Sequence, residues 1–181
     1  MSGEAVWVHP YKVPYVIARK EFLSPQTFLW EILAPEIAAA CQPGQFVMVR
    51  LRDGGERIPL TIADFDRFRG TITIVVKVAG KTTDEMAAWP EGVDFLDLIG
   101  PLGTPSRLPG KGHVVLVGGG IGIAPLYPIA RALNDLGTNS TTIIGFQTDS
   151  DVFWRERFHR YSNPVIVMTE DGSCGRRGTV I

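Results

Sequence analysis

The sequence is short of the residues that most metal and nucleophile chemistry needs. It holds two cysteines, Cys41 and Cys174, and three histidines, His9, His113 and His159, in 181 residues. Two thiols cannot supply the four ligands of an iron–sulfur cluster or a structural zinc. No metal site is therefore expected, and no [2Fe–2S] ligand set lies in this chain. The pair reads as reduced thiols rather than a disulfide, which gives a cytoplasmic location as the expectation. The histidines are scattered, and no Ser–His–Asp arrangement or metal-ligand spacing includes them. Neither sign of charge is in excess, with 18 Lys and Arg against 19 Asp and Glu. A nucleic-acid or anionic-membrane partner would leave a basic footprint, and there is none. No apolar run approaches the ~20 residues of a membrane helix. The N-terminus lacks the charged start and apolar run of a secretory signal. Internal repeats and low-complexity segments are missing too.

What is present is a globular composition, 45% hydrophobic and 20% charged, long enough for one large domain or two small ones. The first hundred residues are strand-rich. Apolar, β-branched runs at 15–18, 28–33, 46–51, 58–62, 71–78 and 95–98 are separated by Pro43-Gly44, Asp53-Gly54-Gly55 and Arg69-Gly70. That spacing predicts an antiparallel barrel. One short helix, 83–89, interrupts it and is stopped by Pro90. The pattern then changes to strand 113–117, helix 124–136 capped by Gly137, strand 141–145, helix 152–161 and strand 165–169. In the first helix Leu126, Ile129, Ala130, Leu133 and Leu136 share a face. Alternation of this kind predicts a parallel, doubly wound sheet. The fold class is thus a β-barrel followed by a short α/β unit, divided at Pro109-Gly110 into 1–108 and 109–181.

Two stretches carry the chemistry. In Arg57-Ile58-Pro59-Leu60-Thr61 a guanidinium suited to phosphate precedes a proline that fixes where Leu60 and Thr61 project. Thr61 is placed to offer its hydroxyl or amide to a flavin ring near N5; read alone, the string equally describes a surface arginine beside an ordinary strand. Lys77-Val78-Ala79-Gly80-Lys81-Thr82-Thr83 leads from a strand into a helix start that suits a phosphate. Thr is also a good N-cap, so a capped helix start is the competing reading. The run Gly118-Gly119-Gly120-Ile121-Gly122-Ile123-Ala124-Pro125 joins strand to helix where a dinucleotide pyrophosphate approaches closely. A tight turn without ligand is its alternative, since the spacing is not a full G-x-G-x-x-G. After the third strand, Glu170, Asp171 and Gly172 lie at the ligand-facing sheet edge and read either as ribose contacts or as a solvated turn. Cys174 beside them reads either as a neighbour of the nicotinamide or as a small buried thiol. No arginine follows the second strand at Phe146-Gln147-Thr148, which favours NAD(H) over NADP(H).

In this order, with Gly100-Pro101-Leu102-Gly103 between them, these strings resemble the ferredoxin–NADP+ reductase superfamily. The likeness is greatest to the branch of the dihydroorotate dehydrogenase electron-transfer subunit. It extends to the small flavin subunit of NADH-dependent ferredoxin–NADP+ oxidoreductase, and it covers the chain from about Tyr15 onward. The resemblance implies FAD held by Arg57, Pro59, Leu60, Thr61, Lys77, Val78, Gly80, Thr82 and Thr83, with Thr61 the residue that tunes the reacting flavin. It implies a nucleotide turn of Gly118, Gly119, Gly120, Gly122, Ala124 and Pro125, with Asp171 and Gly172 toward the nicotinamide. It further implies electron transfer between NAD(P)H and an iron–sulfur partner subunit or ferredoxin, within a hetero-oligomer. Family members continue with further strands and a cysteine-rich segment, whereas this chain shows three recognisable parallel strands. Either it is a shortened copy or a partner completes the lobe, and a non-catalytic flavin-binding or docking subunit is the alternative function.

Overall fold

The computed structural model describes residues 15–95 and 97–180. The extension before Tyr15, His9 included, lies outside the described residues. Seven antiparallel strands form the first unit: β1 (Tyr15–Ser24), β2 (Thr27–Leu33), β3 (Phe46–Arg50), β4 (Ile58–Asp66), β5 (Thr71–Lys77), β6 (Asp94–Phe95) and β7 (Asp97–Leu102). Their order in the sheet is β6-β1-β2-β5-β4-β3-β7. The two outermost strands are neighbours in the chain, so the sheet curls until its edges meet and leaves little edge to protect. Two helices accompany it, α1 (Pro35–Ala40) and α2 (Lys81–Ala88). The sequence reading missed α1, although Pro35 stands at the first helical position, where its missing amide costs nothing.

The second unit is a four-stranded parallel sheet: β8 (His113–Gly119), β9 (Asn139–Phe146), β10 (Val165–Thr169) and β11 (Arg176–Arg177), in the order β11-β10-β9-β8. The fourth strand, only Arg176 and Arg177, was not foreseen. Helix α3 (Leu126–Asp135) follows β8 after a 3-10 turn at Gly120–Ile123. Its inward face carries Tyr127, Pro128, Ala130 and Leu133, while Leu136, expected on that face, caps the helix and is exposed. The helix expected over 152–161 shortens to α4 (Arg155–Phe158), because Asp149–Asp151 form a 3-10 turn and Trp154 adopts a left-handed conformation, φ 60°. No helix among the described residues is long and apolar enough to cross a membrane.

Alternation along three strands explains how the units join. In β2, Phe28, Trp30 and Ile32 enter the barrel core, and Leu29 faces the other way. In β5, Ile72, Ile74 and Val76 point inward and Val75 outward; in β4, Ile62 and Ala63 divide likewise. Leu29, Val75 and Ala63 form one core with Ile123, Ala124, Tyr127, Leu133, Ile144 and Phe158 of the parallel unit. Strands buried on both faces read as continuous apolar runs, which is why 28–30 and 74–76 lack polar residues.

Helix α2 is fixed at both ends. At its start, Thr83 Oγ1 accepts from the amides of Ala79 and Gly80 and donates to the Gly80 carbonyl. At its end, Lys20 Nζ from β1 donates to the carbonyls of Ala87 and Trp89, which the helix leaves without partners. Burial lowers the Lys20 pKa, with Glu91 opposing. Replacing Lys20 by methionine keeps the stem and removes the donors. We expect a loss of about 1 kcal/mol in urea unfolding, with faster amide exchange confined to the last turn of α2; an unchanged midpoint contradicts this role.

Candidate functional site

The site begins where the barrel stops being a sheet. Strands β4 and β5 pair from Asp66↔Thr71 to Ile62↔Ile74 and no further. The residues before Ile62 pair only with β3: Thr61 with Phe46, Leu60 with Val47, Pro59 with Met48 and Ile58 with Val49. Beyond Ile74, β5 keeps its ladder with β2 as far as Lys77↔Thr27. Past Ile62 and Ile74 the two strands therefore part, and the facing backbone edges at 59–61 and 75–77 do not pair with each other. Main-chain donors and acceptors along such an edge require partners. The sequence reading had selected both edges, through Pro59, Leu60 and Thr61 on one and Lys77 on the other.

Lys77 also lines a cleft of about 430 Å³ between the units. Gln26 and Thr27 stand with it on the barrel side. Gly119, Gly120, Ile121, Gly145, Phe146, Phe153 and Glu170 form the opposite wall, and Gly178, Thr179 and Val180 run along it. Of the predicted turn residues, Gly119 and Gly120 reach the cleft. The turn glycines serve different ends. At Gly118 a Cβ would lie 2.8 Å from Leu126 Cδ1 and 3.0 Å from the Gly122 carbonyl oxygen, so this glycine lets the turn pack on its strand. Gly120 has φ +53° and nothing within 4 Å of where a Cβ would be; Gly122 is equally open. Such bare backbone admits close approach by a ligand. Ala124 is buried in the shared core, and Pro125 precedes the first residue of α3.

A second hollow, about 290 Å³, lies between α2 and the loop after β3. Thr82, Lys81, Glu56 and Gly54-Gly55 line it. Thr82 Oγ1 donates to Glu56 Oε2 at 2.7 Å. Gly80, at the helix start, again has nothing within 4 Å of a Cβ position. Val78 packs on the barrel core, and its amide donates to the Gln26 carbonyl. Arg57 Nη2 sits 2.8 Å from Asp97 Oδ2, with its side chain 39% exposed. One carboxylate contact leaves most of the five guanidinium donors for another partner.

The C-terminal edge of the parallel sheet is tied by Ser173. Its amide and hydroxyl both donate to Asp171 Oδ1, at 2.9 and 2.6 Å, and its oxygen accepts from the Asp149 amide at 2.8 Å. The loops after β9 and β10 thus hold one another, with Gly172 turning at φ +77°. Asp171 is exposed and engaged within its own loop. Glu170, not Asp171, reaches the cleft. Cys174 is partly buried, its carbonyl accepting from the Thr169 hydroxyl at 2.7 Å. Thr27 and Phe153 were missed as cleft residues, since neither stands in a local motif.

No protein-family model matches the chain. It is 45% identical to a dihydroorotate dehydrogenase B (NAD+) electron transfer subunit homolog of Thermotoga maritima, over 91% of this chain and 58% of that protein. The corresponding subunit of Fusobacterium nucleatum is 34% identical, over 87% of the chain and 62% of the relative. Among solved structures, an NADH-dependent reduced ferredoxin–NADP oxidoreductase, described for flavin-based electron bifurcation, superposes with a TM-score of 0.86 at 42% identity. That match covers 93% of this chain and 61% of the other. The chain is homologous to these electron-transfer subunits. Its likeness to dihydroorotate dehydrogenase electron-transfer subunits runs through both units. The chain spans about three fifths of the length of these relatives.

The Ser173 contacts hold the Asp171 carboxyl below the ordinary Asp value of about 3.9. A lowered folded-state pKa gives stability that is present above the unfolded value and lost as pH falls through the folded one. In Ser173→Ala we expect Asp171 to titrate close to its ordinary value, read from its side-chain carboxyl resonance by NMR. An unmoved midpoint would show that the loop owes nothing to this pair.

Proposed function

We propose that the chain binds FAD on the barrel and a nicotinamide nucleotide on the parallel sheet, and passes electrons between NAD(P)H and an iron–sulfur partner. The observation that carries this reading is the parting of β4 and β5 beyond Ile62 and Ile74, with Lys77 at the end of β5 lining a cleft walled by Gly119, Gly120 and Ile121. The residues fit the cofactor. The edge of 59–61 that faces away from β3 has no strand beside it and suits the polar rim of a flat ring, and Gly80, Gly120 and Gly122 leave room where a side chain would intrude. Arg57 and the first-turn amides of α2 suit phosphate charge. Val78 and Thr83 do not line that hollow: Val78 is packed on the barrel core, and Thr83 is committed to capping.

When bound, FAD supplies a hydride acceptor at ring N5 and a donor of single electrons, which is the chemistry the reaction requires. The chain's own part is to orient and to exclude water. Pro59 fixes the backbone so that Thr61 presents its hydroxyl or amide to the ring edge. Phe146 and Phe153, ring centroids 5.4 Å apart, give the cleft an apolar floor. Hydride transfer needs no general acid or base, in keeping with the scattered histidines. NAD(H) is the preferred nucleotide. Two carboxylates, Asp151 and Glu170, line the cleft against one cation, Lys77, so a 2′-phosphate would meet a net like charge there. Arg155 and Arg157, which follow β9 in the chain, line a separate groove.

A second reading is a flavin-binding docking subunit without nucleotide oxidation of its own. It draws on one observation: β8 is the edge strand, and Val115 and Val117 are 55% and 48% exposed. Anaerobic addition of NADH to the chain reconstituted with FAD separates the two. Bleaching of the flavin bands is expected, and bands that persist favour docking. Thr61→Val should then slow reduction on the order of tenfold, about 1.4 kcal/mol in barrier, with flavin retention nearly unchanged. An unaltered stopped-flow rate removes Thr61 from the tuning role.

A further inference from the structure

On the side of the junction away from the cleft, a groove of about 1160 Å³ separates barrel and parallel unit, and one carboxylate spans it. Asp64 of β4 accepts from Arg131 of α3 at Oδ1 and from Arg157 of α4 at Oδ2, the latter at 2.9 Å. Each guanidinium also lies against aromatic faces. Arg131 is 4.6 Å from the Phe65 ring centroid and donates to the Phe65 carbonyl; Arg157 is 4.4 Å from both Tyr127 and Trp154. Two arms from two helices therefore meet on one residue of the barrel.

The apolar seam of Leu29, Ala63 and Val75 with Ile123, Tyr127 and Leu133 holds the units together. Burial raises the Asp64 carboxyl above its usual pKa, with Arg131, the Phe65 amide and Arg157 acting the other way. Desolvation thus offsets much of the Coulomb gain, as is common for buried ion pairs. An apolar seam has no preferred direction, whereas paired charge-assisted hydrogen bonds do. The cluster sets angle rather than adhesion.

Its position connects it both to Thr61 and to the cleft. Asp64 stands three residues after Thr61 on the same strand. Trp154, against which Arg157 stacks, contacts Phe153, and Phe153 meets Phe146; these last two rings line the cleft. We infer that Asp64 is a positioning residue, which through Arg131 and Arg157 fixes the tilt of the parallel sheet on the barrel and hence the gap between Lys77 and Gly119–Ile121. The inference rests on the cleft being where flavin and nicotinamide meet.

The test uses the full FAD-bound chain with spin labels at Phe68→Cys and Leu136→Cys, both exposed and in different units, and Cys174→Ser to remove a competing thiol. Asp64→Ala should broaden or shift the interlabel distance distribution. It should also slow NADH-driven flavin reduction on the order of 10- to 100-fold, because misplacement of about 1 Å has that effect, with FAD affinity unchanged. Asp64→Asn keeps the shape and one acceptor, and serves if the alanine variant does not fold; an intermediate effect on both readouts is expected. An unchanged distance distribution overturns the proposal whatever the rate does. If NADH fails to reduce the parent chain, the cleft reading falls, and the distance measurement still decides whether Asp64 sets the tilt.

Discussion

Leu29, Ala63 and Val75 turn outward from the barrel and bury themselves under α3, and the rest of the structure depends on that seam. A barrel normally presents a polar outside. Here three adjacent strands, β2, β5 and β4, are apolar on both faces, so the barrel is complete only when the parallel sheet covers it. The seam fixes which edge of the parallel sheet meets which end of the barrel. It thereby places the Gly119–Ile121 turn opposite Lys77, with the polar groove on the far side.

The same strands that make the seam also make the opening. Strand β4 pairs with β5 only from Ile62 onward, where Ala63 turns toward the second core. A register shift falls between Ile62 and Asp64, the bend expected where one residue is left over from the ladder. Before it, the strand pairs at 59–61 with β3 alone; after it, Asp64 projects between two arginines. The proposed cofactor edge, the core contact and the ion cluster thus occupy successive stretches of one strand. Their relative placement comes from the backbone rather than from any flexible side chain.

Much of this was legible in the sequence, and the exceptions have physical reasons. Strands β2, β5 and β10 were read within a residue or two because β-branched and aromatic runs between turn formers have few alternatives. Glycine runs marked the turn from β8 to α3, yet could not say that Gly118 serves packing while Gly120 and Gly122 face open space. The segment 152–161 has apolar residues at helical spacing, but its rings close over Tyr127 and Arg157, and the left-handed Trp154 interrupts the helix. Asp64 could not be found locally: its partners lie 67 and 93 residues away, and each pair looks like ordinary surface charge. Asp171 had the right address at the sheet edge, but Ser173 occupies it.

The central claim is that the splayed β4–β5 edge is the flavin's seat and the α2 start its phosphate site. A crystal structure of the chain grown with FAD tests this most directly. The ring is expected against residues 59–61 and 75–77, facing the cleft toward Gly120, with the pyrophosphate near Gly80 and Arg57. Ring density in the Asp64 groove, or in the cleft with the β4–β5 edge left unpaired, would contradict it.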